Sequence, residues 1–315
     1  MSFVVAFVAT RLAIPVFKRR GIVGKDVHKT DRPEVPEMGG LFLVSGFAAG
    51  IILVIAANTF LSRFLSIDIA TIFAVLSVVL IATLIGTVDD LMRIRQSIKA
   101  VIPLFIALPL IAVRAGDTEM NIPLIGQVDF GIIYSVVFVP IGVAGAANAV
   151  NMLAGFNGEE TGVGLVATAS LAVIAYHSHE TAAFLILLAA LGALLATLYY
   201  NWYPARVFIG DVGTFAIGAI IASAVIVGNF EVAGLIIMIP YFLDFFIKAR
   251  NRFPSTVGRY AALCVEGKLY CPKSGAKGLG QLVAKIAGGM SERNITLSLM
   301  GLEAIFGGIA IWIFW

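Results

Sequence analysis

Four short stretches hold most of the residues in this chain that could do chemistry. The first is Asp89-Asp90, followed by Arg93, Arg95 and Lys99. Two adjacent carboxylates are costly at a membrane boundary unless a cation shares them, and a divalent metal with phosphate oxygens would relieve the repulsion. The plain alternative is a helix end solvated among lipid headgroups, with the bases contacting lipid phosphate. The second stretch is Asn148-Ala-Val-Asn151-Met-Leu-Ala-Gly-Phe-Asn157-Gly-Glu159-Glu160. Asn148 and Asn151, three residues apart, share a helix face, and Asn157 stands in a glycine-flanked turn suited to close ligand approach. Amide oxygens are hard ligands for Mg2+, and an amide can also read a base edge. Interhelical asparagine contacts, worth about 1 kcal/mol in membranes, explain three such residues before an acidic pair less well.

The third stretch runs from Asn201-Trp-Tyr-Pro through Arg206 and Phe208 to Gly210-Asp211. Asp211 stands at the expected start of a helix, where an N-cap would account for it. An N-cap accounts for neither Arg206 nor Phe208. An aromatic ring beside a metal-binding carboxylate is what stacking a nucleobase over a metal-bound pyrophosphate needs. The fourth stretch, Lys25 to Gly40, mixes charge with Pro33, Pro36 and a glycine pair. It reads as a rigid, non-helical entry to a helix, and Glu37 at the membrane edge is the residue a solvated loop explains least.

The elements that must position these groups are apolar. Of 315 residues, 60% are hydrophobic and 13% charged, against roughly 25% charged in soluble domains. These figures exclude a DNA-binding module, a secreted disulfide scaffold and a disordered tail, and leave no nucleic acid among the expected partners. Apolar runs near membrane-spanning length, ~20 residues each, fall at about 2–17, 38–60, 69–88, 98–113, 130–149, 161–176, 181–200, 212–228, 231–247 and 295–315. The expected fold is all-α, a polytopic membrane protein with ten transmembrane helices. Pro103, Pro109, Pro140 and Pro240 lie inside these runs, where they predict kinks more than breaks. Loops after the odd-numbered helices hold 19 of the 22 Lys and Arg residues. By the positive-inside rule those loops are cytoplasmic, both termini lie outside, and all four stretches fall on the cytoplasmic face. The chain reads as one domain, 1–315, with a long cytoplasmic loop at 248–294 between the last two helices.

Several matches carry little. Met1–Phe17 has no basic residue ahead of its apolar core and no small-residue cleavage site, so it reads as an anchor and not as a signal peptide. Cys264 and Cys271 do not have zinc spacing. Gly162-Val-Gly164-Leu-Val-Ala167 fits a dinucleotide fingerprint but has no preceding strand, which leaves helix packing. His177-Ser-His179-Glu180 lies on the opposite side from the four stretches and reads as a polar turn. Asn294-Ile-Thr296 matches a glycosylation acceptor at a cytoplasmic helix mouth, where it would stay unmodified.

A metal site, an aromatic platform and several cations on one face of a membrane protein suit phosphoryl transfer between a soluble nucleotide and a lipid. At these residues the chain resembles the polyprenyl-phosphate N-acetylhexosamine-1-phosphate transferases, and within them the UDP-GlcNAc:dolichyl-phosphate branch. The matching stretches are Asp26 to Gly40, Asp89-Asp90 to Lys99, Asn148 to Gly158, Asn201 to Asp211 and Ser291-Glu-Arg-Asn-Ile-Thr-Leu297. The resemblance implies a Mg2+-dependent phosphoglycosyl transferase, with Mn2+ as a substitute metal, acting on a UDP-N-acetylhexosamine and a polyprenyl or dolichyl phosphate within the bilayer. It implies that Asn151 and Asp211 ligate the metal, that Asn157 and Phe208 hold the uracil, and that Lys99 neutralises phosphate. It further implies that Asp89 and Asp90 orient acceptor or metal, with Glu37 and Asn148 on the substrate side. The eukaryotic members have a longer final loop with a His and Arg cluster; here Arg252, Pro254, Arg259 and Lys268 stand in for it. The shorter loop points to an archaeal relative in the plasma membrane, as opposed to the endoplasmic reticulum membrane of a eukaryotic one. A homodimer is compatible with all of this.

A lipid phosphomonoester has its second pKa near ~6 and is mostly a dianion at pH 7, so it needs no strong base to attack. Direct in-line displacement releasing UMP is the expected route. A covalent intermediate on Asp89 or Asp90 is the competing one. From a different class, a secondary transporter of a nucleotide-sugar or other anionic solute would account for many helices. It would also place polar groups at mid-bilayer, where this chain offers only Asp244 and Glu303.

Overall fold

The computed structural model describes residues 1–61, 67–92, 94–122, 126–253, 263–265 and 267–315. Helix forms at each of the ten apolar runs. The chain opens with α1 (Ser2–Arg20), the hairpin β1 (Val23–Lys25) and β2 (Glu34–Pro36), then α2 (Gly40–Phe60) and α3 (Ile69–Met92). A broken helical stretch follows, α4 (Gln96–Val101), a tighter 3-10 turn over Ile102–Ala107, and α5 (Leu108–Ala112). The hairpin β3 (Glu119–Ile122) and β4 (Gly126–Asp129) leads through a π turn at Tyr134–Phe138 into α6 (Val139–Leu153). Next come α7 (Glu159–His177), α8 (Thr181–Asn201), α9 (Gly210–Val227), α10 (Glu231–Ile237) and α11 (Ile239–Arg250). The hairpin β5 (Leu263–Val265) and β6 (Lys268–Tyr270), α12 (Leu279–Ile286) and α13 (Glu292–Phe314) complete the chain.

Among the described residues six helical segments are long and apolar enough to cross a membrane, and a seventh if α10 and α11, bent by 53° at their junction, form one broken span. α1 carries four basic residues and α7 begins on Glu159 and Glu160, and neither is among the six. The all-α expectation needs one amendment, the three antiparallel hairpins of three or four residues per strand. Strands this short occur between helices because the chain must reverse there, and each pairs with its sequence neighbour. The interior prolines coincide with breaks between helical segments more than with the kinks expected of them. Pro103 lies in the 3-10 turn, Pro109 and Pro140 begin new helical segments, and Pro240 follows the 53° bend.

α9 is the axis of the bundle. Every residue from Val212 to Ile226 is buried, and the helix touches α2, α3, α6, α7, α8 and α10. Lipid tails are as apolar as leucine, so helices in a bilayer associate through close packing, which small residues permit. Gly86 of α3 shows how close: a Cβ there would stand 2.6 Å from the Asp211 carbonyl oxygen and from Val212 Cα. The Gly162 and Gly164 pair is a packing feature, facing Met300 and Ile217. Large apolar side chains such as Leu12, Leu84, Ile132, Phe246 and Trp312 remain exposed, as a lipid-facing surface requires.

The two ends of the bundle differ. One gathers β1–β2, the C-terminal ends of α3, α6 and α8, and the N-terminal ends of α7, α9 and α13. The other carries β3–β4, a Tyr134–Glu231 hydrogen bond, and His177 stacked on Trp315 with ring centroids 4.6 Å apart. His177 Nε2 lies 3.0 Å from the Trp315 carbonyl oxygen, so His177 is engaged in a terminal contact, in keeping with a polar turn. Gly86→Ala should lower the thermal unfolding midpoint in detergent, since overpacking costs about 1–3 kcal/mol. Gly301→Ala, where the added methyl meets nothing within 4 Å, should leave it in place. Equal midpoints for the two variants would mean that α3 and α9 can separate at no cost.

Candidate active site at one end of the bundle

The site is built from helix ends. α9 begins at Gly210, whose φ of +67° ends the preceding loop abruptly. The exposed N–H groups of that first turn need acceptors, and Asp90 supplies them from α3. Its Oδ1 accepts from Asp211 N at 2.9 Å and its Oδ2 from Val212 N at 3.2 Å. A side chain at Gly210 would stand 2.4 Å from Asp90 Oδ2, so glycine serves both the turn and the approach of the carboxylate. Asp211 is therefore not its own helix cap; Asp90 caps the helix and Asp211 is left for other work.

Asp211 lies where three elements meet. Asn151 Nδ2, near the end of α6, donates to Asp211 Oδ1 at 2.6 Å and to Thr214 Oγ1 at 2.7 Å. Lys99 Nζ, from α4, donates to Asp211 Oδ2 at 2.5 Å and pairs with Asp89 on its other side. Asp89 is 5% exposed, and its Oδ1 accepts from the backbone of Ile94 at 2.9 Å. The adjacent aspartates thus part company. Asp89 faces the ammonium and Asp211, while both oxygens of Asp90 are engaged by backbone.

These residues edge a cavity of about 240 Å³ whose walls include Lys25, Asp26, Glu37, Asp90, Asn157, Glu160, Asn201, Phe208 and Asp211. Phe208 is held by backbone, its N–H donating to Pro36 O and its carbonyl accepting from Gly39 N, each at 2.8 Å. Asn201 fixes the loop beneath it, donating to Val207 O at 3.0 Å and accepting from Thr161 Oγ1 at 2.7 Å. Thus Glu37, Asp90, Asn157, Phe208 and Asp211 share one cavity, and Asn151, Lys99 and Asp89 stand at its Asp211 edge. Asn148 is not among its walls, and its Nδ2 donates back to Ala144 O within α6 at 3.0 Å. Arg252 and Lys268 are exposed and line no part of it. Arg259, like Pro254 and Arg93, lies outside the described residues.

Sequence reasoning assigned no role to a second group beside the cavity. Asp26, His28 and Glu292 are buried with their ligand atoms within 4.8 Å of one another. The Lys29 ammonium sits among them, 3.1 Å from Asp26 Oδ2 and paired with Glu292. An ammonium at that point balances the two carboxylates, and the knot of charge ties the first hairpin to the last helix. Burial works against the charge on Lys29, but Glu292 and Asp26 outweigh it and raise its pKa above the ordinary lysine value. His28 stacks on Phe156 with centroids 4.8 Å apart. The available signal was charge itself, a Glu at the mouth of an apolar helix and an Asp-x-His-Lys run in an otherwise apolar chain.

The family model of glycosyl transferase family 4 matches residues 72–229. A Saccharolobus solfataricus protein provisionally named UDP-N-acetylglucosamine–dolichyl-phosphate N-acetylglucosaminephosphotransferase is 36% identical over 313 residues, 99% of this chain and 94% of that one. This chain belongs to glycosyl transferase family 4. Its relatives within the family extend to bacteria and eukaryotes. A phospho-N-acetylmuramoyl-pentapeptide-transferase of Streptococcus agalactiae is 32% identical over 71% of each chain. The UDP-N-acetylglucosamine–dolichyl-phosphate N-acetylglucosaminephosphotransferase of Schizosaccharomyces pombe is 27% identical over 79% of this chain and 66% of its own length. The matched span runs from α3 through α9 and so contains Asp89, Asp90, Lys99, Asn151, Asn157, Phe208 and Asp211.

The Asp90 cap carries its own test. Asp90→Ala should lower the unfolding midpoint, the loss of a helix cap costing about 1 kcal/mol, and Asp90→Asn, which keeps one acceptor oxygen, should fall between it and the parent. An Asp90→Ala midpoint equal to that of the parent protein, followed by tryptophan fluorescence, would show that α9 does not depend on this carboxylate.

Proposed function

We propose that this protein transfers N-acetylglucosamine 1-phosphate, or a closely related N-acetylhexosamine 1-phosphate, from its UDP ester to a polyprenyl or dolichyl phosphate, releasing UMP. The observation that carries this reading is the meeting of Asn151 and Asp211 at 2.6 Å beside Lys99, at the rim of a cavity walled by Asn157 and Phe208. Family membership supports the enzyme reading and gives none to a transporter.

The donor set fits a hard divalent ion. Asp211, the adjacent Asp89 and the amide oxygen of Asn151 offer oxygen ligands of the kind Mg2+ takes, and Asn151 donates through Nδ2, which leaves its Oδ1 for a metal. We assign Mg2+ to Asp211 and Asn151, where it would neutralise charge on the pyrophosphate as the bond breaks. The remaining work falls to the protein. Phe208 provides an aromatic face for the base and Asn157 a hydrogen-bonding edge. Lys99 supplies positive charge beside the transferred phosphoryl group. Asp90 holds the start of α9 so that Asp211 stays in place. The acceptor phosphate, mostly a dianion at pH 7, attacks the β-phosphorus directly. The bond from that phosphorus to the oxygen bridging it to the α-phosphate breaks, and UMP leaves. Asp90, with both oxygens accepting backbone hydrogen bonds, is a poor candidate nucleophile, and Asp89 is engaged by the Ile94 N–H and the Lys99 ammonium, which together favour the direct route.

By the distribution of Lys and Arg this end of the bundle faces the cytoplasm in a multi-pass plasma-membrane protein of ten spans, with both termini outside. The charged headgroup of the lipid acceptor then meets the soluble donor at the bilayer rim while its tail stays among the helices.

Purified protein given Mg2+, labelled UDP-GlcNAc and a short polyprenyl phosphate should yield UMP and an organic-soluble labelled sugar, and a chelator should stop the reaction until Mg2+ is restored. Asp211→Ala and Asn151→Ala should each reduce turnover by at least about a thousandfold, the loss of an electrostatic stabiliser at the reacting centre, with the protein still folded in detergent. Near-parental turnover in either would refute the metal assignment. Labelled sugar phosphate trapped on the protein without acceptor would refute direct displacement.

A further inference from the structure

Asn157 is held from three sides. Its backbone N–H donates to Glu292 Oε1 at 2.8 Å, its carbonyl accepts from Thr296 Oγ1 at 3.1 Å, and its Nδ2 donates to Asp26 Oδ2 at 3.0 Å. Asn157, Asp26 and Glu292 are each 4% exposed. An asparagine amide has a donor end and an acceptor end that are nearly identical in shape, so its polarity must be set by its neighbours. An ionised carboxylate only accepts. Asp26 Oδ2 also pairs with the Lys29 ammonium, so the nitrogen of Asn157 faces Asp26, and Oδ1 points the other way. No described residue donates a hydrogen bond to that Oδ1, and Asn157 forms part of the cavity wall that also holds Phe208.

We propose that Asp26 is a positioning residue that fixes the polarity of the Asn157 amide, and with it the preference for a base bearing a ring N–H, while Glu292 anchors the Asn157 backbone. This rests on the reading of the cavity as the nucleotide site. Uracil carries an N–H at ring position 3, where cytosine carries a lone pair. A fixed acceptor at that point pairs with the first and opposes the second. A site built to receive a donor discriminates strongly against an analogue lacking it, because its own buried polar atom is left unpaired. The knot of Asp26, Lys29 and Glu292 joins the β1–β2 hairpin to the start of α13, so elements from opposite ends of the chain set the orientation of one amide between α6 and α7.

The test compares UMP and CMP as competitive inhibitors of the full-length protein, together with KM for the UDP-sugar. The parent protein should prefer UMP by at least about tenfold. Asp26→Asn can donate as well as accept, so the Asn157 amide is free to turn over. The UMP-to-CMP preference should collapse toward unity, and KM should rise more than kcat falls. Asp26→Ser, smaller and also able to donate, should behave in the same way and serves if Asp26→Asn does not fold. Glu292→Gln still presents an oxygen to the Asn157 N–H, so it should keep the preference even where KM rises. Retention of the full preference in folded Asp26→Asn or Asp26→Ser would overturn the inference while leaving the nucleotide site intact. A parent protein indifferent to UMP and CMP would overturn both.

Discussion

The structure depends on one junction, where the C-terminal end of α3 meets the N-terminal end of α9. Two kinds of force act there. Close packing brings the backbones together at Gly86, and the Asp90 carboxylate then satisfies two amide groups that would otherwise be unpaired at a helix start. Neither is strong alone. A cap contributes about 1 kcal/mol, and packing in lipid lacks the hydrophobic drive that water would add. Their joint effect is positional. Asp211 is the second residue of α9, so whatever fixes the first turn of that helix fixes Asp211. The burial of every residue from Val212 to Ile226 holds the rest of the helix and prevents the junction from being relieved by a shift along its axis.

Around that junction the charges balance locally. Asp89 and Asp211 share the Lys99 ammonium, and Asp26 and Glu292 share the Lys29 ammonium. Uncompensated charge in a low-dielectric setting is expensive, so each carboxylate pair depends on its lysine for its shape. The two arrangements differ in use. The Lys99 group stands beside the hydrogen-bonded Asn151 and Asp211 side chains at the edge of the cavity. The Lys29 group ties a hairpin to the last helix and reaches the cavity only through Asn157. A lysine buried between acids reads the same way in both places, and only the neighbouring residues distinguish the two.

Much of this was legible in the sequence, and the reasons are physical. Ten apolar runs became helix because a chain in lipid must satisfy its backbone internally. The prolines were legible as points where a helix is disturbed because a missing N–H is a local property, but they mark segment starts more than kinks. Asp89, Lys99, Asn151, Asn157 and Asp211 were legible as polar groups clustered near helix ends, and Phe208 as an aromatic ring beside them. What stayed hidden depends on distance along the chain. That Asp90 would cap α9 requires knowing that residue 90 meets residues 211 and 212. That Asp26 and Glu292 would share Lys29 requires bringing the two ends of the chain together. Asn148 shows the limit of helical spacing. It lies three residues from Asn151 on a neighbouring face of α6, but only Asn151 reaches α9, and Asn148 bonds to its own helix. Helical spacing says which residues can look in similar directions and not how wide a partner they meet.

The two lysine groups also fall on different parts of the chain. The span matched by the family model, from α3 through α9, contains the junction, the Lys99 group, Asn157 and the Phe208 loop. The Lys29 knot is made outside it, by the first hairpin and the last helix. The Lys99 group and the Lys29 group are therefore carried by separate parts of the chain, so a substitution in one can leave the other in place. Asn157 is where the two parts meet, since its loop is continuous with the helix that bears Asn151, while its side chain and backbone bond to Asp26, Glu292 and Thr296. Its position is thus set jointly by the core of the bundle and by the last helix, and its side chain meets the first hairpin.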